Sequence, residues 1–321
     1  MASRKILINR NKPDKWNEDT KKSVRMYNDW FLNFAPATYV GERQKAMKAV
    51  ANVIKQTDYL HFSVQQLKEC PSIVTTLRMV TTPPLAMARL VGFAGIKPAM
   101  LKSMEEGKLP SKMSEKDVDY NIEKILNVIN KLLDRELFPW LDTGIKPEDE
   151  SLKIAECIVA DRLCGTLSDP IIRNEQEKRQ LSVINSYLTS KGYSFIDSKK
   201  VQLAEEMSKG TFTYHLNVPA KTNSIVVNMP IDVVVKRKSD AYGNFPLLIE
   251  CKSAGDFTNT NKRRKEEAQK VEQLKATYGN NVNFILFLCG YFDSGYLGYE
   301  AAEGIDWIWE HRVEDLKKAG I

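Results

Sequence analysis

The chain has 321 residues, 43% of them hydrophobic, enough for one large domain or two ordinary ones. No uninterrupted apolar run approaches the roughly 18 residues that span a bilayer, and the opening "MASRKILINRNKPDKW" lacks the apolar core of a secretory signal, so no membrane segment or export is expected. A formal net charge of +6 permits a polyanionic partner without demanding one, while five cysteines without a CxxC pair and only three histidines argue against structural zinc and for a reduced, cytoplasmic protein.

In chain order, residues 1–145 read as a helical region, a candidate DNA-recognition or dimerisation part. "NEDTKKSVRMYNDWFLNFA" and "YNIEKILNVINKLLDRELFPWL" carry apolar residues at three- and four-residue spacing, with Ile122, Ile125, Leu126, Ile129 and Leu132 as one stripe. The polar stretch "EEGKLPSKMSEKD" reads as a loop. "TTLRMVTTPPLAMARLVG" sets two prolines between Arg78 and Arg89; it reads either as a structural corner between helices or as a DNA-facing turn that uses both arginines. A boundary is expected at "DTGIKPEDES", residues 142–151. Beyond it, "SLKIAECIVADRLCG" and "NEQEKRQLSVINSYLTSKG" predict two more helices, the second closed by Gly192.

Within 151–321 the period changes. "SIVVNMPIDVVVKR", "FPLLIECKSA" and "VNFILFLCG" predict strands buried on both faces, and "NKRRKEEAQKVEQLKATYGN" a helix ended at Gly279. Helix, strands, helix, strand implies an α/β (α+β) core: a mixed central sheet flanked by helices and preceded by the helical N-terminal region. The Tyr- and Gly-rich run "GYFDSGYLGYEAAEGIDWIWEH" reads as core or subunit packing.

The chemistry concentrates at the end of "PLLIECKS". Glu250 and Lys252 share one strand face, about 6.6 Å apart along it. A hairpin through "KSDAYGN", centred on residue 241, sets Asp232 opposite Glu250, with Cβ atoms roughly 5 Å apart. Two carboxylates at that separation repel and call for a cation, and hard oxygen donors suit Mg²⁺. Lys252 beside it can orient or deprotonate a water, or neutralise developing charge. Cys251 points to the other face, but its carbonyl stays at the strand end. The residues alone point to a metal-dependent nuclease, with a structural Glu250–Lys252 ion pair as the plainer reading.

Neighbouring residues supply candidate DNA contacts. Lys262, Arg263, Arg264 and Lys265 open a helix, where cations oppose the helix dipole unless a phosphate sits there; a solvated basic turn balanced by Glu266 and Glu267 is the other reading. Ser253, Asn259 and Asn261 suit phosphate or base-edge hydrogen bonds, though turn and cap roles fit that segment equally. Glu177, on the helix before the sheet, is a candidate to support the metal site from behind its ligands. His215 and His311 are not expected to bind metal.

Pro230, Asp232, Glu250 and Lys252 form P-x-D…E-x-K, which resembles the PD-(D/E)XK nuclease superfamily. The longer stretches "KPDKWNEDTKKSVRMYNDWFLNFAP", "LRMVTTPPLAMARLVGFAG", "LLIECKSAGDFTNTNKRRKEEAQK" and "LCGYFDSGYLGYEAAEGIDWIWEHR" resemble the XamI family of type II restriction endonucleases, from residue 12 to about 312. The resemblance implies a PD-(D/E)XK core at 151–321 and Mg²⁺-dependent cutting of double-stranded DNA at a short, palindromic sequence. Asp232, Glu250 and the Cys251 carbonyl would hold metal, and Lys252 would serve the attacking water. It further implies a homodimer and a cognate DNA methyltransferase. A repair or junction nuclease on the same core, or a non-enzymatic DNA-binding protein, are the competing readings.

Overall fold

The computed structural model describes residues 7–222, 225–258 and 260–321, with the side chains of residues 222 and 261–264 left out. The expected DNA contact of Asn259 therefore lies outside the described residues, as do those of the Asn261, Lys262, Arg263 and Arg264 side chains. The chain divides into two compact units, one of residues 1–34 with 173–321 and one of residues 35–172. It crosses between them inside two long helices, α1 (Pro13–Gln56) and α8 (Asp149–Ser190), close to the internal prolines Pro36 and Pro170. Each of these prolines removes one backbone hydrogen bond from its helix. The stretch 142–151, read as a boundary, spans the end of α7 (Trp140–Thr143) and the start of α8.

The unit of residues 35–172 is helical. Between α1 and α7 it carries α2 (Val64–Glu69), α3 (Ile73–Leu77), α4 (Met87–Ala94), α5 (Pro98–Glu105) and α6 (Glu115–Leu132). α6 starts at Ser114, whose side chain accepts the Asp117 N–H, and buries Val118, Ile122, Ile125, Leu126 and Ile129 against one core. The segment with two prolines forms the corner between α3 and α4. There Arg78 is 3% exposed, pairs with Glu105 at 2.7 Å and donates to the Leu85 carbonyl, so its guanidinium is engaged inside the unit. Arg89 is exposed on α4.

The other unit is built on a mixed six-stranded sheet in the order β1 to β6. The strands are β1 (Ser194–Phe195), β2 (Thr211–Thr222), β3 (Ile225–Lys236), β4 (Leu247–Ala254), β5 (Asn283–Gly290) and β6 (Asp306–Trp309). β2, β3 and β4 run antiparallel to one another, and β4, β5 and β6 run parallel. Both parallel steps use helical crossovers, α9 (Thr260–Tyr278) and α10 (Ser294–Ala302). Side chains alternate between two cores: Val234, Leu248, Leu286 and Trp307 pack with Val271 and Leu274 of α9, while Val233, Ile249, Phe287 and Ile308 pack with Ile184 and Leu188 of α8. Burial on both faces explains why β4 opens on an unbroken aliphatic run.

Besides β2, which no expectation covers, two elements differ from expectation. The pair of helices expected from 151 to 192 is the single α8, because Pro170 interrupts the pattern without ending the helix. "DWIW", inside the aromatic run, is β6, and all four of its residues are buried.

Candidate active site

β3 and β4 pair as Val235↔Leu247, Val234↔Leu248 and Val233↔Ile249, the register expected from a turn centred on residue 241. The ladder then stops. Beyond it β4 pairs with β5, through Cys251↔Phe287 to Ala254↔Gly290, while β3 continues against β2. The two strands part where Asp232 and Glu250 face each other, and a cleft of about 480 Å³ opens there. Asp232 caps the parting: its Oδ2 accepts the Cys251 N–H at 2.8 Å.

The cleft concentrates charge under partial burial. Glu250 is 7% exposed, and each of its oxygens holds an ammonium, Oε1 that of Lys252 at 2.9 Å and Oε2 that of Lys270 at 2.8 Å. Lys270, on α9, also donates to the Pro230 carbonyl at 2.7 Å. Burial, then the nearby Glu250, push the Asp232 carboxyl up to about 6, against the pull of the Cys251 N–H and the two lysines. Burial works against the Lys252 ammonium, but Glu250, Glu267 and Asp232 outweigh it, so Lys252 holds its proton more tightly than an ordinary lysine. The Cys251 thiol is pushed well up by burial and by Asp232, which leaves it an inert thiol.

The face of α8 toward the cleft carries Arg173, Gln176, Glu177 and Gln180, at the 3- and 4-residue spacing of one helical side. Gln180 Nε2 bonds the Phe287 carbonyl at 3.1 Å and the Lys252 carbonyl at 3.3 Å, tying β5 to β4 beside the site. Glu177, guessed from sequence as a supporting group, stands 3.6 Å from His215 Nε2. One ligand atom from each of Glu177, His215 and Asp232 lies within 4.8 Å of the others. His215 is turned toward this group by a left-handed backbone, φ 51°, at the β2 position facing Asp232. The sequence reading set His215 aside; nothing in residues 211–222 announces that twist. Ser253 lines the cleft, and Lys265 is exposed near the start of α9.

Lys270 and Glu267 were also missed. Their signal is present but faint: Glu267, Lys270, Val271 and Leu274 share one stripe of α9, so two charges sit on the side that packs toward the sheet. Two carboxylates at a strand parting, one with its charged form disfavoured, form an oxygen donor set for a hard divalent cation. The residues present fit such an ion.

A protein-family model described as XamI restriction endonuclease matches residues 57–309. The type II restriction enzyme SalI of Streptomyces albus G is 45% identical over 98% of this chain and all of its own length. The chain belongs to the XamI restriction endonuclease family. The type II restriction enzyme XamI of Xanthomonas campestris pv. amaranthicola is 22% identical over 63% of this chain and 64% of its own. A solved structure, that of protein VC1899 from Vibrio cholerae, covers 80% of this chain and 55% of its own at a TM-score of 0.27 and 16% identity, too little to bear on the fold. The stretch matched by the XamI restriction endonuclease model contains Asp232, Glu250 and Lys252.

Proposed function

We propose that this protein is a type II restriction endonuclease that hydrolyses both strands of double-stranded DNA at a short palindromic sequence, with Mg²⁺ as cofactor. The observation that carries the reading is the parting of β3 and β4, which brings Asp232, Glu250 and Lys252 to one cleft in a chain of this family. Asp232, Glu250 and the Cys251 carbonyl are the ligands. A divalent cation held there supplies a Lewis acid and lowers the pKa of a bound water.

The chain's own residues do the rest. Lys252, kept protonated by the carboxylates around it, acts as a hydrogen-bond donor to the attacking water and to charge that develops on the phosphate, rather than as the base. Gln180 fixes the β4 and β5 backbones on which Glu250 and Lys252 stand. In this reading Arg173 and Gln176 on α8 meet the DNA backbone together with Lys262, Arg263 and Arg264, and Ser253, Asn259 and Asn261 meet phosphates or bases. A homodimer and a methyltransferase that protects host DNA complete the reading.

The test is plasmid DNA incubated with protein in Mg²⁺ or in EDTA, beside Asp232→Ala. Discrete Mg²⁺-dependent fragments, lost in the variant while DNA binding persists, are the expected result. Cleavage confined to branched or single-stranded substrates would move the reading to a structure-selective nuclease.

A further inference from the structure

Behind Lys252 lies a buried acidic pair to which the cleavage reading gives no part. Glu267 on α9 is 3% exposed and Glu300 on α10 is fully buried. The Tyr296 hydroxyl donates to Glu267 Oε2 at 2.6 Å and fixes that carboxylate. Among the described residues its other oxygen, Oε1, accepts from no N–H or Tyr/Ser/Thr hydroxyl, and it lies 4.0 Å from the Lys252 ammonium. A buried carboxylate oxygen calls for donors, and here an ammonium stands just out of reach. Burial raises both carboxyls, that of Glu300 up to about 9, while Tyr296, Lys252 and the bond from Glu300 pull Glu267 back down, so Glu300 holds the proton and donates it to Glu267, which keeps the charge.

Glu250 is in the opposite situation. Both of its oxygens are taken, by Lys252 at 2.9 Å and Lys270 at 2.8 Å. A cation that binds Glu250 competes with an ammonium for the same oxygen and repels it, which favours a second acceptor for each lysine. Lys270 has a second acceptor in the Pro230 carbonyl at 2.7 Å. Lys252 has Oε1 of Glu267, 4.0 Å away. We propose that Glu267, held by Tyr296 and backed by Glu300, is a positioning residue that receives the Lys252 ammonium when a divalent cation claims Glu250. The hand-over keeps Lys252 charged and beside the scissile phosphate instead of leaving it in competition with the metal. The inference rests on the cation reading of Asp232 and Glu250.

The test is the affinity of the DNA-free protein for Mn²⁺ alone, read from the resonance of the free ion, so that cleavage plays no part. Glu267→Gln keeps the shape and the Tyr296 bond but weakens the hold on an ammonium. It is expected to weaken Mn²⁺ binding about fivefold or more, since Lys252 then stays on Glu250. In a Lys252→Met background the same change is expected to have no effect, because no ammonium needs a new partner. Equal affinity of wild type and Glu267→Gln, or equal weakening in both backgrounds, overturns the proposal. Should Glu267→Gln lower the unfolding midpoint, Tyr296→Phe reads the same hand-over from the anchoring side, and unchanged affinity there counts against it. If Asp232→Ala binds Mn²⁺ as wild type does, the cation reading itself falls, and this inference with it.

Discussion

Asp232 shows what the cleft costs the fold. Its carboxyl is pushed from 3.8 to about 6 by burial and by Glu250. Between those values the folded chain holds a proton that the unfolded chain has released, so stability falls as pH rises from about 4 to about 6 and stays reduced above it. Roughly 2 pK units correspond to about 3 kcal/mol at most, less where neighbouring groups titrate with it. Asp232→Asn removes the charge and keeps the shape, so in EDTA it is expected to raise the unfolding temperature by a few degrees at pH 8 and to leave it nearly unchanged at pH 4. Thermal unfolding at the two pH values decides this: equal gains would trace to packing, and a loss at pH 8 would mean that the Asp232 charge is well accommodated without metal. A group that destabilises the empty protein and is held in place by its strand is what a ligand site requires.

At the scale of elements, the position of the cleft depends on how β4 and β5 end. Gly290 closes β5 with φ 99°, and its N–H donates to Ser23 Oγ at 2.7 Å. A Cβ there would lie 2.0 Å from the Ala254 carbonyl oxygen, a backbone atom that cannot yield without moving β4. Gly290→Ala is expected to destabilise by about 3 kcal/mol or more. Gly92 is the contrast: it lies inside α4 with no atom within 4 Å of an added Cβ, so Gly92→Ala is expected to stabilise by about 0.5–1 kcal/mol. Denaturant unfolding of both variants checks the pair, and similar effects at the two sites would show that local geometry is not what sets them. How far such elements are legible in sequence depends on distance along the chain. The β3–β4 register could be read because the two aliphatic runs are neighbours in sequence, joined by the single polar connection 237–246. β2 carries an alternating set, Phe212, Tyr214, Leu216, Val218 and Ala220, which is legible as a strand by its period, although it is not among the strands expected from sequence. Lys270 and Glu267 reach the cleft through one crossover, Glu300 meets Glu267 through the next, and His215 comes beside Glu177 and Asp232 from a neighbouring strand; no local spacing encodes those meetings.

For the whole molecule, the number of clefts sets the argument. If Asp232, Glu250 and Lys252 form the proposed catalytic set, each chain carries one, and cutting both strands of a palindrome in one encounter takes two sets related by the symmetry of the site. The formal charge of +6 helps either a single copy or a pair to approach DNA, so charge does not choose between them. The kinetics of cutting do. With two copies on one site, supercoiled plasmid is expected to pass to linear product with little nicked circle, and sedimentation on a single-site duplex in Ca²⁺ is expected to give two chains per duplex. A single copy that cuts, leaves and returns would accumulate nicked circles before linear product and sediment as one chain per duplex. A pair that is stable without DNA should stay two-chained on dilution through the micromolar range, whereas a pair held together by DNA should fall apart without it. If the pair forms only on DNA, each copy still carries its own complete cleft, and nicking by a dilute single copy should be slow rather than absent.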